Sequence, residues 1–519
     1  MSLCLWSETH GTCALETLQP VFREILDCSI NAIDYDALSS TVCSSTMSST
    51  YGYDLLGSTH TGHGDLSSEQ INCLRNIGEG LNCTGCLGDF IEAYRYSRKS
   101  AVDARCRRFC ISKWTSNDLQ NLDCEEFTTE IKIWIQTAKI CYNSIFPREK
   151  QYIEQIFGGV RAVTHDNFFV AIVEHVAIEL NNFAEAVSSI ASFRKLFDVL
   201  DMYKALFVIL PNIQTMFRSI SCTNISHEAT TTFYSLANVV RKLFSSFEDT
   251  VLYELSNTLP PEGTIHSLTE YAMNYVTSIS QYKEILTNII ISRPSKSLGN
   301  QAHELFFQGS GGTPLGLHMI WIIMSLRINL EGKSSLYKDT SLSLAFNMNN
   351  ADYILKSITG SPELQEMIGK EYLSMLHNDV AQAKRDYSSS IWHRVLYCLR
   401  DDGLNYKFPF YTGILKNSVK KRFKTFNTEF EEICQAQIWK SVPDIDIHRH
   451  LRELILRKLL PAYRSFLGKY GGHLQSVRYR ERYIKYSIKE LADKLKFCFQ
   501  CAADYQISFS TGRIWMEFD

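Results

Sequence analysis

The chain lacks the short signatures that mark common enzyme chemistries. No G-x-x-x-x-G-K-[ST] phosphate loop, G-x-S-x-G nucleophile turn or H-E-x-x-H metal helix occurs in it. A strong charge of one sign is absent too. The 53 Lys and Arg set against 56 Asp and Glu leave a net −3, which argues against a general nucleic-acid binder held by bulk charge. No apolar run is long enough to cross a bilayer. The longest, LGLHMIWIIMSL from Leu315 to Leu326, is closed by Arg327 and predicts a buried helix. The start, MSLCLWSETHGTC, has no charged region leading into an apolar one, so no secretory signal is expected and the protein reads as soluble and cytosolic. No period of about 34 or 40 residues recurs, which disfavours a tandem-repeat solenoid.

Cysteine, by contrast, is plentiful. There are 16, ten of them between Cys4 and Cys124. A cytosol keeps such thiols reduced. Cys83-x-x-Cys86 and Cys106-x-x-x-Cys110 have a spacing that resembles a zinc module. Against zinc, the stretch from Asp89 to Phe109 reads as helix across the middle, and chance spacing among reduced thiols is the default. Cys498-x-x-Cys501 has no strand–turn–helix context for a redox motif. His448 and His450 lie two apart on a helix start and point to different faces, so they are not expected to share a metal. GSGG, Gly309–Gly312, has no preceding strand and is not expected to cradle phosphate. No cofactor, metal or catalytic residue is expected.

Residues 1–65 are rich in Ser, Thr, Cys and Gly without a sustained period and are expected to be disordered. From about Leu66 the pattern becomes helical. Phe127, Ile131, Trp134, Ile135, Ala138 and Cys141 recur at steps of three and four, the mark of one buried stripe. Similar patterns cover FFVAIVEHVAIELNNFAEAV, RKLFDVLDMYKALFVILPNI (ending near Pro211) and TTTFYSLANVVRKLFSSFEDTVLYEL. Loops are expected at Ser256–Thr264, Ser292–Gly316 and from Asp401 through DDGLNYKFPF. Trp134, Trp321, Trp392 and Trp439 lie within apolar stripes and are expected core anchors. The fold class is therefore all-α, with successive antiparallel bundles packed end to end.

The C-terminal part is uneven in charge. Residues 414–500 carry nineteen Lys and Arg against nine Asp and Glu, a net of +10, and the remainder carries −13. Leu415, Val419, Phe423, Phe426, Phe430 and Ile433 share one helix face, and Lys416, Lys420 and Lys424 step by four beside it. That row is either a solvated flank or a lipid contact. Glu431 and Glu432 read as solvated. Ser441-Val-Pro-Asp444 resembles a capping box with Pro in the first turn, and Pro461 is expected to bend or divide the next helix. In RERYIKYSIKEL, Arg480–Leu491, cations alternate with aromatics before Ser487-x-x-Glu490 opens a last helix with Ile488, Leu491, Leu495 and Phe499 inward. Tyr483 and Tyr486 suit either a headgroup level or the core. An anionic membrane surface explains such a cluster, because each basic residue near it contributes roughly 1 kcal/mol and several must act together.

Ordered stretches along the chain resemble a known family. They include IKIWIQTAKICYNSIFPREKQYIEQIFGG, GTIHSLTEYAMNYV, WIIMSLRINLEGKSSLYKD, FNMNNADYIL, FKTFNTEFEEICQAQIWKSVPD, LRELILRKLLPAYRSFL and RYIKYSIKELADKL. Together they are similar to the exocyst 70-kDa subunit family, in its plant branch, from residue 66 to residue 500, with a basic C-terminal bundle at about 403–500 and a tail at 501–519. The resemblance implies an elongated rod of stacked helical bundles with no enzymatic activity, which tethers exocytic vesicles to the plasma membrane. It implies a cytoplasmic location, peripheral at that membrane. Expected partners are other exocyst subunits and anionic inositol lipids, with small GTPases or immune receptors as further candidates and no nucleic acid. Arg482 and Lys485 match the family's lipid-contacting cations, and Arg478, Arg480, Lys489, Lys416, Lys420 and Lys424 extend the expected lipid-binding set. Family members typically carry a longer N-terminal coiled coil. The short start here raises an alternative: a divergent interaction scaffold or immune-related adaptor no longer assembled in the exocyst.

Overall fold

The computed structural model describes residues 65–84, 87–107, 115–160, 164–190, 192–218, 223–256, 258–292, 312–408, 411–435, 442, 444–474 and 480–500. Expectations for the two termini, for Gly309–Gly311, for Trp439 and for Arg478 lie outside these residues. The fold is all-α, apart from one short hairpin. Two compact units divide the chain at Ser246/Phe247.

The first unit contains α1 (Ser68–Thr84), α2 (Leu87–Arg107), α3 (Ser116–Asn121), α4 (Cys124–Ile140), a π-helical turn (Cys141–Ile145), α5 (Phe146–Phe157), α6 (His165–Val187), α7 (Leu196–Met216) and the first part of α8 (Thr223–Tyr253). Asp123 caps α4 by accepting from the Glu126 amide at 2.8 Å. The stripe expected on α4 is buried at Phe127, Ile131, Trp134 and Ala138, and the Trp134 indole donates to the Leu180 carbonyl at 2.8 Å. Lys195 is buried over the end of α3. Its ammonium donates to the carbonyls of Leu119, Gln120 and Leu122 at 2.9–3.1 Å, so a cation closes a helix C-terminus. Arg98 on α2 and Glu149 on α5 form an ion pair at 1% and 0% exposure, with the guanidinium 5.4 Å from the centre of the Tyr152 ring.

The second unit holds the end of α8, α9 (Ser267–Ser280), α10 (Lys283–Ile289), α11 (Pro314–Ser334), α12 (Thr340–Thr359), α13 (Pro362–Cys398), β1 (Asn405–Phe408), β2 (Tyr411–Ile414), α14 (Lys416–Gln435), α15 (Ile445–Tyr470) and α16 (Ile488–Gln500). The apolar run expected as a buried helix is α11, capped by Thr313 with Pro314 in its first turn. Apart from His318, every residue from Leu315 to Leu326 is buried. Among the described residues no helix is long and apolar enough to cross a membrane.

Side chains on α11 and α12 hold the preceding loop. Asn350 accepts from the His266 amide at 2.9 Å and from the Thr269 hydroxyl at 2.6 Å, and Asn349 donates to the Gly263 carbonyl at 2.8 Å. Asn329 donates to the Glu254 carbonyl at 2.8 Å, and Lys333 pairs with the Glu254 carboxylate at 2.6 Å. Gly263 is left-handed at φ 67°, and a Cβ there would stand 2.8 Å from the Leu342 carbonyl oxygen, so the loop needs glycine at that point.

Four local expectations are corrected. Pro211 does not end its helix, and of the two outcomes expected at Pro461, a bend or a division, the division does not occur; both helices run through. Each proline removes a bond to the carbonyl four residues back. Phe207 and Arg457, which carry those carbonyls, lie on exposed faces, where losing a donor costs least. The segment after Gly403 is not a plain loop but an antiparallel hairpin pairing Asn405 with Ile414 and Phe408 with Tyr411. Its polar–apolar alternation over Asn405–Phe408 was the available signal. The cap of α15 is Asp444, not Ser441: its carboxylate accepts from the Asp446 amide at 2.8 Å and the Ile447 amide at 3.1 Å.

The buried ion pair sets a stability test. Glu149→Ala is expected to cost about 3–5 kcal/mol in denaturant unfolding, because it leaves the Arg98 charge without its carboxylate. Replacing both partners with Leu or Met of similar volume is expected to cost far less. Equal losses in the single and double variants would refute the pair's role.

Candidate cationic face of the C-terminal bundle

One apolar core gathers α13, α14, α15 and α16, through Tyr387, Trp392, Phe423, Phe426, Phe430, Leu451, Leu459, Tyr463, Phe466, Tyr486, Leu495 and Phe499. It reaches back to Ala345 and Met348 on α12. Leu415, expected on the inward face, is exposed just before α14 begins; Val419, Phe423, Phe426, Phe430 and Ile433 are buried as expected.

Tyr486 joins this core to the basic segment. Its ring meets Phe430 edge-on with centroids 5.6 Å apart. The hydroxyl donates to the Glu431 carboxylate and accepts from the Lys494 ammonium at 3.3 Å, while its backbone carbonyl accepts from the Tyr463 hydroxyl at 2.7 Å. Burial, reinforced by the bond to Glu431, pushes the Tyr486 phenol above its usual range, and burial pushes Tyr463 up to about 12. Three residues earlier, the Tyr483 carbonyl accepts from Asn427 at 3.0 Å. Ser487 and Glu490 then form a capping box, with amide-to-side-chain bonds of 2.8 Å and 3.2 Å, and start α16.

These anchors bring two of the expected basic groups together. Lys420 stands 5.8 Å from the centre of the Tyr483 ring, so the Lys416/Lys420/Lys424 row flanks the segment that carries Arg482 and Lys485. Lys416 and Lys424 are exposed, Lys420 is half-buried, and Arg482 and Lys489 are exposed. Arg480 opens a single 3₁₀ turn, Arg480–Arg482. Lys421, which was not among the expected residues, is exposed beside the row; its signal was the Lys420-Lys421 doublet. Among the described residues, Lys416, Lys421, Lys424 and Lys489 form no ion pair.

Lys485 differs. It is half-exposed, and its ammonium lies 2.5 Å from the Glu431 carboxylate. Glu431 is therefore not simply solvated, which corrects the expectation. The bond from Lys485, then that from Tyr486, holds its carboxyl below the usual range. Sequence spacing could not find this pair, because 54 residues separate its members. Glu432 is exposed.

Other candidates resolve into structure. The Cys106 sulfur lies 3.3 Å from that of Cys141 and both residues are buried, while Cys86 and Cys110 of the zinc-like spacing lie outside the described residues. No group of three His, Cys, Asp or Glu that could hold a metal occurs among the described residues. His448 is buried and donates to the Val442 carbonyl at 2.6 Å; burial lowers its pKa and keeps it neutral. Cys498 is bonded to Cys434 on α14, which corrects the expectation that every thiol is reduced.

This is a helical-bundle protein with a cationic face on its last bundle. Its fold matches that of the S. cerevisiae exocyst component Exo70p, at a TM-score of 0.54 and 15% identity over 96% of this chain and 92% of that one. Residues 132–496 match the family described as the C-terminal region of the Exo70 component of the exocyst complex. Arabidopsis thaliana exocyst component EXO70C2 is 30% identical over 429 residues, 82% of this chain and 60% of that protein. Exocyst component EXO70A1 of the same plant is 28% identical over 498 residues, covering 92% and 76%. The chain belongs to the Exo70 family of exocyst subunits, and it spans about three-fifths of the length of EXO70C2.

The lowered Glu431 carboxyl generates a pH test. A depressed carboxyl contributes stability above its ordinary value of 4.5, and that contribution is lost as pH falls through the folded-state value. Glu431→Gln is expected to lower the thermal midpoint slightly at pH 7, by the equivalent of about 1 kcal/mol or less. The gap from the parent is expected to narrow and close as pH falls below 4.5, through the lowered folded-state value. A gap that stays constant with pH would contradict the pairing.

Proposed function

We propose that the chain is a non-enzymatic exocyst subunit that tethers exocytic vesicles to the plasma membrane by binding phosphatidylinositol bisphosphate on its C-terminal cationic face. What carries the reading is the alignment of the Lys416/Lys420/Lys424 row beside Arg482 and Lys485, with Lys421 and Lys489 adding charge. A bisphosphate headgroup offers several anionic oxygens, and neighbouring ammonium groups satisfy them without a closed pocket. Four exposed lysines without carboxylate partners supply roughly 4 kcal/mol near an anionic leaflet. Lys485 contributes less than its position suggests, because Glu431 competes for it. The buried Tyr486 ring positions the segment and does not enter the headgroup layer. Other exocyst subunits are the primary protein partners in this reading, with small GTPases or immune receptors as further ones.

The test is co-sedimentation of the full chain with vesicles containing phosphatidylinositol bisphosphate. Converting Lys421, Lys424 and Arg482 together to Glu is expected to weaken binding at least a hundredfold, at about 1 kcal/mol per residue, with unchanged helicity. Glu431→Gln frees Lys485 and is expected to tighten binding a few-fold. Binding that ignores both changes rules the membrane reading out and leaves the interaction scaffold. Recovery of the other exocyst subunits with the native protein separates a working subunit from such a scaffold.

A further inference from the structure

The bond between Cys434 and Cys498 has no part in the reading above. It joins the last turn of α14 to the last turns of α16 across 64 residues, with Cα atoms 5.3 Å apart, an ordinary span for a disulfide. The covalent loop it closes contains all of α15 and the segment bearing Arg482, Lys485 and Lys489. Two observations argue against a bridge the fold merely requires. First, α16 has its own apolar hold on the bundle through Leu491, Leu495 and Phe499, all buried. Second, Cys434 is only half-buried, so one residue of the pair is not sealed in the core.

The comparison with Cys106 and Cys141 sharpens this. Those sulfurs also approach, to 3.3 Å, yet both residues are sealed in the core and unbonded. Cys73, Cys124 and Cys398 are unbonded as well. Thiol oxidation follows access, so proximity with access marks Cys434 and Cys498 as the reactive pair among the described residues.

We propose that Cys434 and Cys498 form a reversible thiol–disulfide site, oxidised by a hydroperoxide and reduced by a dithiol, whose bridge locks α16 onto α14. In the oxidising direction, the Cys434 thiolate attacks a peroxide oxygen. With hydrogen peroxide as the hydroperoxide, the O–O bond breaks, the leaving hydroxide departs as water after taking a proton, and Cys434 becomes a sulfenic acid. The Cys498 thiol attacks that sulfur, the S–S bond forms and a second water leaves. Two thiols lose two electrons and one peroxide gains them. In the reducing direction, a dithiol thiolate attacks the Cys434 sulfur and expels the Cys498 thiolate. The second dithiol sulfur then attacks the mixed disulfide, releases Cys434 and leaves as a cyclic disulfide. Closing the loop removes freedom from the opened segment, so the bridged form opens less often over residues 480–500.

The experiment treats the folded full chain with hydrogen peroxide or with dithiothreitol, removes the reagent, alkylates free thiols in denaturant so that buried Cys498 is also read, and identifies peptides by mass spectrometry. Peroxide is expected to yield a Cys434–Cys498 linked pair, and dithiothreitol to yield both peptides alkylated. Amide exchange in residues 480–500 is expected to slow about tenfold or more in the linked form. That difference is expected to vanish in Cys434→Ser and in Cys498→Ser alike. Full alkylation after peroxide, linkage to other cysteines, resistance of the link to dithiothreitol in the folded protein, or identical exchange in the two states would each overturn the proposal. None of these readouts involves lipid, so they stand apart from vesicle binding.

Discussion

The basic segment before the last helix depends on one requirement: the Tyr486 side chain has to be buried as a ring and satisfied as a phenol. The ring packs on Phe430, and the hydroxyl meets Glu431 and Lys494. A buried hydroxyl without partners would cost a few kcal/mol, so the position of Glu431 on α14 is coupled to that of Tyr486. The same carboxylate then binds Lys485. Burial of one side chain thereby decides which neighbouring cation is tied to a carboxylate. Arg482, four residues ahead, is exposed on the same segment.

A second constraint governs the start of the same unit. The loop between Glu254 and His266 runs against α11 and α12, and the backbone groups it turns toward those helices need partners there. Asn329, Lys333, Asn349 and Asn350 provide them. These residues fall inside WIIMSLRINLEGKSSLYKD and FNMNNADYIL, two of the stretches that carry the family resemblance. Their role is architectural: a polar residue on a buried helix face is retained because it closes a loop's hydrogen bonds. Recognisable motifs in this chain are thus partly packing devices. The cations of the basic face sit on exposed positions that packing does not constrain.

Membership of the Exo70 family and a cationic face lead to the tethering proposal by separate routes. The family assignment rests on residues 132–496. The electrostatic reasoning rests on exposed, unpaired lysines of α14 and α16. The Cys434–Cys498 bridge closes a loop that holds Arg482, Lys485 and Lys489 but not the lysines of the α14 row, and adds a covalent constraint where the other contacts are noncovalent.

The helical class, the buried stripe of α4, the buried α11, the inward face of α14 and the start of α16 were legible in the sequence. In each, apolar residues recur with the helical period or a capping pair marks the end, and both signals are local. The paths through Pro211 and Pro461 were not legible, because they depend on whether the freed carbonyl meets water. The Glu431–Lys485 pair, the Lys420–Tyr483 contact and the Cys434–Cys498 bond joined residues tens of positions apart. Such encounters are set by how helices pack, and no period in a sequence encodes them. The sequence alone determined that this protein is a series of amphipathic helices with a basic end. Only the tertiary structure decided which of those cations stand unpaired in solvent, because charge pairing depends on distance in space and not along the chain.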